Sequence, residues 1–110
     1  MEEYVRQDGP SPFKKWFDRL DHHASAKVAT ALARLSTGNT SSIKWFGGIG
    51  ELRIDWGPGY RVYLARDGER LIILFCGGTK KRQQTDIDTA LALHAEFKAR
   101  KTTTMTKKKA

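Results

Sequence analysis

The chain has 110 residues, 39% apolar and 29% charged, enough for one modest hydrophobic core but not two. Twenty Lys and Arg against twelve Asp and Glu give a net charge of +8, which points to an anionic partner, with nucleic acid the leading candidate. A single cysteine excludes an intramolecular disulfide and a cysteine-based metal site, and no apolar run approaches the roughly 20 residues of a membrane span.

The opening MEEYVRQDGP is acidic and polar, unlike a signal peptide, so the cytoplasm is the expected compartment. Glu3–Arg6 is a candidate short strand. Ser11-Pro12 is a helix start, with serine as N-cap and proline at the first helical position. Phe13, Trp16, Phe17 and Leu20 then recur on one helical face. Asp21-His22-His23 interrupts the pattern and reads as a turn with solvated histidines. A second helix follows, with Val28, Leu32 and Leu35 on one side and Gly38 just past its end. Two short helices joined tightly form an αα-hairpin.

The period then changes. Ile43–Phe46 is a candidate first strand, and Gly47-Gly48-Ile49-Gly50 reads as a hairpin turn, because it lacks the Gly-Lys-Ser/Thr of a phosphate loop. In Glu51–Trp56, Leu52, Ile54 and Trp56 alternate with Glu51, Arg53 and Asp55, the pattern of a half-buried strand. Gly57-Pro58-Gly59 is a turn in which Gly59 needs positive φ. Tyr60–Arg66 continues as a strand, with Val62 and Leu64 opposite Arg61, Tyr63 and Ala65. Asp67-Gly68 signals another hairpin. Leu71–Cys76 is apolar on both faces and therefore central, with Gly77-Gly78 closing the sheet and Cys76 an inert core residue. Thr85 is the expected cap of a last helix, with Ile87, Ala90, Leu91, His94 and Phe97 on its apolar side and His94 a packing histidine. Residues 1–101 form the expected single domain, and residues 102–110, ending in three lysines, a disordered basic tail. The fold class is α+β: an N-terminal αα-hairpin packed on one face of a small, mainly antiparallel twisted sheet, with a C-terminal helix.

The charge excess lies in the second half. Residues 44–82 carry eight basic and four acidic side chains, whereas residues 1–43 carry six and five. Pairing across the Gly-Pro-Gly turn brings Arg53, Asp55, Arg61 and Tyr63 together on the face opposite Leu52 and Val62. Lys80, Lys81 and Arg82 leave the sheet nearby and Lys44 begins the first strand. The expected result is a basic concavity with Tyr60, Tyr63 and Trp45 available for stacking on bases. The pattern fits equally a solvated sheet face with cross-strand Arg–Asp pairs. No histidine or carboxylate cluster has metal-ligand spacing, so neither metal nor cofactor is expected.

The runs ELRIDWGPGYRVYL (Glu51–Leu64) and IILFCGGTKKRQQTDIDTA (Ile72–Ala90), with PFKKWFDRLD (Pro12–Asp21) upstream, resemble the RelE/ParE toxin superfamily of type II toxin–antitoxin modules, and within it the HigB-like addiction-module killer proteins. The resemblance spans about residues 4–98. It implies a RelE-like fold and a toxin that inhibits translation as a ribosome-dependent endoribonuclease, cleaving mRNA by metal-free attack of the 2′-hydroxyl. It implies as partners the ribosome, mRNA and a cognate antitoxin, the latter a helix-turn-helix protein through which alone the toxin meets DNA. Arg61, Lys80 and Arg53 match basic positions of the family and, with Tyr63 on the same face as an acid/base candidate, are the catalytic candidates; Lys44, Tyr60, Lys81, Arg82 and Gln83 are the RNA contacts expected around them. A C-terminal tyrosine used by some relatives has no counterpart, and that region holds Asp86. The alternative within the superfamily is a ParE-like gyrase inhibitor that binds protein and cleaves nothing.

Overall fold

The computed structural model describes residues 1–68 and 71–109, with side chains described as far as Lys101 except for Leu71. The described backbone continues as helix to Lys109, across most of the segment 102–110 for which a disordered basic tail is the expectation, and residue 110 lies outside the described residues.

Serine at the N-cap and proline at N1 start α1 (Pro12–Asp18), and the Ser11 hydroxyl accepts a hydrogen bond from the Lys14 N–H at 3.1 Å. Asp21 performs the same task for α2 (His22–Ser36), its carboxylate accepting from the Ala24 N–H at 2.9 Å. His22 and His23 are therefore exposed residues of the first helical turn rather than of the connection, because the acidic cap between the helices makes a second start possible.

Five strands follow the order β1-β5-β4-β3-β2, with β1 (Glu2–Glu3), β2 (Ile43–Phe46), β3 (Ile49–Ile54), β4 (Tyr60–Asp67) and β5 (Leu71–Thr79). The neighbours β2–β5 are antiparallel, and the two-residue β1 lies parallel to β5, so β5 is an interior strand as its two-sided apolar sequence requires. The turn before β4 places Gly59 at φ +78°, a conformation that needs glycine.

Gly77 and Gly78 do not end the sheet. They continue β5, and their missing Cβ atoms let other elements approach. A Cβ on Gly77 would lie 2.4 Å from the Trp16 indole, and one on Gly78 would lie 1.9 Å from a carboxylate oxygen of Asp86. Two glycines inside a strand thus seat helix α1 on one face and the start of the last helix on the other.

That last helix, α3 (Gln83–Lys109), begins directly after a 3-10 turn, Lys80–Arg82, so Thr85 is inside it and not its cap. Its inward residues are Ala90 and Leu93, with Ile87 and Phe97 half-buried beside them, while Leu91 faces solvent. The sheet is consequently covered on both faces. Leu52, Ile54, Tyr60, Val62, Leu64 and Leu74 pack against Phe13, Ala24, Val28 and Leu35 of the helical hairpin. Ile49, Tyr63, Ala65, Ile73, Phe75 and Cys76 pack against α3 and Tyr4. The expectation of helices on one face and a polar opposite face does not hold. A sheet whose central strand is apolar on both sides needs a cover on both sides, and α3 is the second one.

Tyr4 anchors this cover. Its hydroxyl donates to Glu96 at 2.7 Å, Arg6 pairs with the same carboxylate at 3.0 Å, and the Arg100 guanidinium lies 5.6 Å from the Tyr4 ring centre. Among the described residues, no helix is long and apolar enough to cross a membrane.

Candidate functional site

Strand register builds the site. Across β3 and β4, Glu51 opposes Tyr63 and Arg53 opposes Arg61. These four side chains share one face because directly paired residues project to the same side. The sheet extends the rows: Lys44 of β2 opposes Glu51, Cys76 of β5 opposes Tyr63, and Gly78 opposes Arg61.

At the centre is Glu51, whose side chain is 0% exposed. One carboxylate oxygen accepts from Arg53 Nε at 2.9 Å. The other accepts from the Tyr63 hydroxyl at 3.0 Å and from Gln83 Nε2 at 2.9 Å, and lies 3.8 Å from Arg61 Nε. A buried carboxylate persists only when paired and hydrogen-bonded. Here burial pushes its pKa up, but the bonds from Arg53, Gln83 and Tyr63 outweigh that and hold it below its ordinary value. Tyr63 shows the converse: burial, with the adjoining Glu51 charge, raises its phenol well above the usual range. Its hydroxyl is therefore a fixed donor to Glu51.

The four catalytic candidates thus separate. Arg53 stands with its side chain 45% exposed, anchored through Nε to Glu51. Arg61 is 8% exposed, and its Nη1 donates to the Gly59 carbonyl at 3.3 Å. Tyr63 is completely buried and so offers no face to a base. Lys80 is exposed in the 3-10 turn, and its backbone N–H donates to the Gly59 carbonyl at 2.9 Å, which ties that turn to the β3–β4 hairpin.

Among the expected RNA contacts, Lys44, Lys81 and Arg82 are exposed, and Gln83 is half-buried on Glu51. Tyr60 is on the opposite face, buried and stacked 6.2 Å from Trp56. It cannot join the basic cluster, because one step along a strand reverses the side-chain direction. Trp45 is exposed but projects to the face opposite Lys44 and Glu51, with the Arg66 guanidinium 5.2 Å from its ring centre. The stacking concavity expected from Tyr60 and Tyr63 is therefore replaced by a buried carboxylate with cations around it. Asp55 falls beyond the end of β3 and lies outside this cluster.

Two acidic residues carry more weight than their sequence context suggests. Glu51 reads as a solvated strand residue until register pairs it with Tyr63. Asp86 lies in the first turn of α3 over Gly78, with one carboxylate oxygen buried and, among the described residues, without a hydrogen-bond partner. Burial raises its pKa above the ordinary value, with the Arg82 charge pulling the other way. Cys76, next to it, has its thiol pushed up to about 12 by burial, which leaves it unreactive at neutral pH.

A family model of phage-derived Gp49-like proteins (DUF891) matches residues 15–96, a span that runs from within α1 through α2 and the sheet from β2 to β5 into α3 and contains the site. The chain belongs to the Gp49-like family. That family consists of toxins of type II toxin–antitoxin modules, similar in broad terms to RelE and HigB, so this Gp49-like protein has an antitoxin as its implied partner. It is also similar to an uncharacterized protein of Haemophilus influenzae (strain ATCC 51907 / DSM 11121 / KW20 / Rd), 45% identical over 87 residues that cover 77% of this chain and 88% of the relative.

Proposed function

We propose that this Gp49-like protein is a cytoplasmic, ribosome-dependent endoribonuclease that arrests translation by cleaving mRNA, and that a DNA-binding antitoxin neutralises it. The observation that carries this reading is the Glu51-centred cluster. It fixes two guanidinium groups at one end of the sheet, beside the exposed cations Lys80, Lys81 and Arg82.

Metal-free cleavage needs a 2′-hydroxyl to attack the adjacent phosphate in line, giving a 2′,3′-cyclic phosphate and a 5′-hydroxyl. Charge builds on the phosphorane, and preorganised cations stabilise it most. Glu51 takes the Nε edge of Arg53, which directs the terminal nitrogens of the fork outward for bidentate phosphate binding. Arg61, beneath it, adds positive potential and keeps the Glu51 charge balanced. Lys80, held at the hairpin by its backbone bond to Gly59, supplies a second exposed cation on the phosphate path. Tyr63 and Gln83 orient Glu51 and through it both arginines.

The test is primer extension on mRNA from a coupled translation reaction. Arg53→Ala should lower cleavage by about 10²–10³-fold, the scale of a lost transition-state donor, in protein that a thermal melt shows to be folded, although with a lowered Tm because buried Glu51 loses its Arg53 partner. Lys80→Ala should lower it less. Cleavage at the wild-type rate in Arg53→Ala would remove this mechanism. DNA replication stopping before translation in induced cells would replace it with gyrase inhibition.

A further inference from the structure

A second basic site lies on the other side of β3. Strand β2 begins at Ile43 opposite Leu52, and only the Ser42 carbonyl, accepting from the Arg53 N–H at 3.4 Å, extends this pairing, so beyond Arg53 that edge of β3 has no strand neighbour. A groove of about 360 Å³ opens between this edge and α2, within the ~300–1,000 Å³ range of ligand sites. Lys27 and Arg34 of α2 line one wall, and Arg53, Asp55 and Trp56 line the other. Lys27 and Arg34 are seven residues apart on a helix and so project on the same side. Among the described residues, neither is paired with a carboxylate, although both are exposed. Lys27 Nζ lies 6.0 Å from the Trp56 ring centre, and Tyr60 supports that ring from within the core.

We propose that this groove binds a single-stranded RNA segment, with phosphates against Lys27 and Arg34 and a base against the Trp56 ring. The inference rests on the RNA reading above and extends it: Arg53 lines the groove and also belongs to the Glu51 cluster, so one strand can pass from the groove to the cleavage centre. Cations alternating with an aromatic platform suit a phosphodiester chain whose bases offer flat faces. Asp55 supplies an acceptor for an exocyclic amino group. An acidic peptide fits less well. It needs desolvated pockets for its anchoring side chains, whereas Leu52 and Ile54 are already buried in the core, and the rest of the floor is Thr30, Ala31, Asn39 and Ser42.

The experiment is fluorescence anisotropy of the full chain with a labelled hexanucleotide carrying 2′-O-methyl riboses, which cannot be cleaved. Lys27→Ala combined with Arg34→Ala should weaken binding at least about tenfold. It should also flatten the dependence of log affinity on log salt by about 1.4, two cations at about 0.7 each. Trp56→Ala should weaken binding about 5- to 150-fold, the loss of one stacked base. Lys14→Ala combined with Lys15→Ala removes the same charge from α1 and should leave affinity within about twofold. Equal losses in the two double variants would overturn the groove, as would displacement of the RNA by hexaglutamate at a comparable concentration. Cleavage is read separately. An Arg53-dependent nuclease with unaffected groove variants would refute this site alone, and groove-dependent binding without any cleavage would refute the nuclease alone.

Discussion

Glu51→Ala tests whether the buried carboxylate organises the site. The substitution removes the acceptor of Arg53 Nε, the Tyr63 hydroxyl and Gln83 Nε2, and it takes away the counter-charge 3.8 Å from Arg61 Nε, which among the described residues has no hydrogen bond. Breaking a buried pair from one side costs about 3–5 kcal/mol, because the partner charge and donors remain desolvated. For a domain of this size the loss corresponds to a fall of roughly 10–20 °C in Tm. Glu51→Gln keeps the shape but loses the charge, and should cost about 1–3 kcal/mol. The pH dependence follows from the sign of the shift. The carboxyl is held below its ordinary value in the folded protein, so its ionised form contributes stability above the unfolded pKa of about 4.5. That contribution is lost as pH falls through the lower, folded value. Urea denaturation of wild type and Glu51→Gln at neutral pH and down into the acid range measures it. The gap between them should be full at pH 7 and close toward low pH. A Glu51→Ala protein within about 1 kcal/mol of wild type, or a gap independent of pH, would refute the assignment.

Gly77→Ala places a methyl 2.4 Å from the Trp16 ring, so it should destabilise by about 1–3 kcal/mol in denaturant titration, and Trp16→Val should recover part of that loss in the double variant. An unchanged midpoint would contradict the close seating of α1 on β5. Asp21→Ala removes the N-cap bond to Ala24 and should cost about 1 kcal/mol by the same measurement, whereas Asp18→Ala, whose partner is the exposed Lys14, should leave the midpoint close to wild type.

What the sequence determines alone is what repeats locally. The Ser11-Pro12 start, the amphipathic face of α2, the alternation along β3 and β4 and the Gly-Pro-Gly turn depend on neighbours a few residues apart. Hairpin pairing is short-range as well, which is why Arg53 and Arg61 were expected on one face and stand there. The tertiary structure decided what sits over that face. Nothing within α3 announces that it covers Tyr63 and Cys76; only the spatial order β5–β4–β3 and the two side-chain-free positions at Gly77 and Gly78 bring it down onto the sheet. Once it is there, water is excluded. Glu51 then changes from a solvated strand residue into a buried charge that must gather Arg53, Tyr63, Gln83 and Arg61 around it. Periodicity assigns a residue to a face, whereas the dielectric around that face depends on which distant element comes to rest on it.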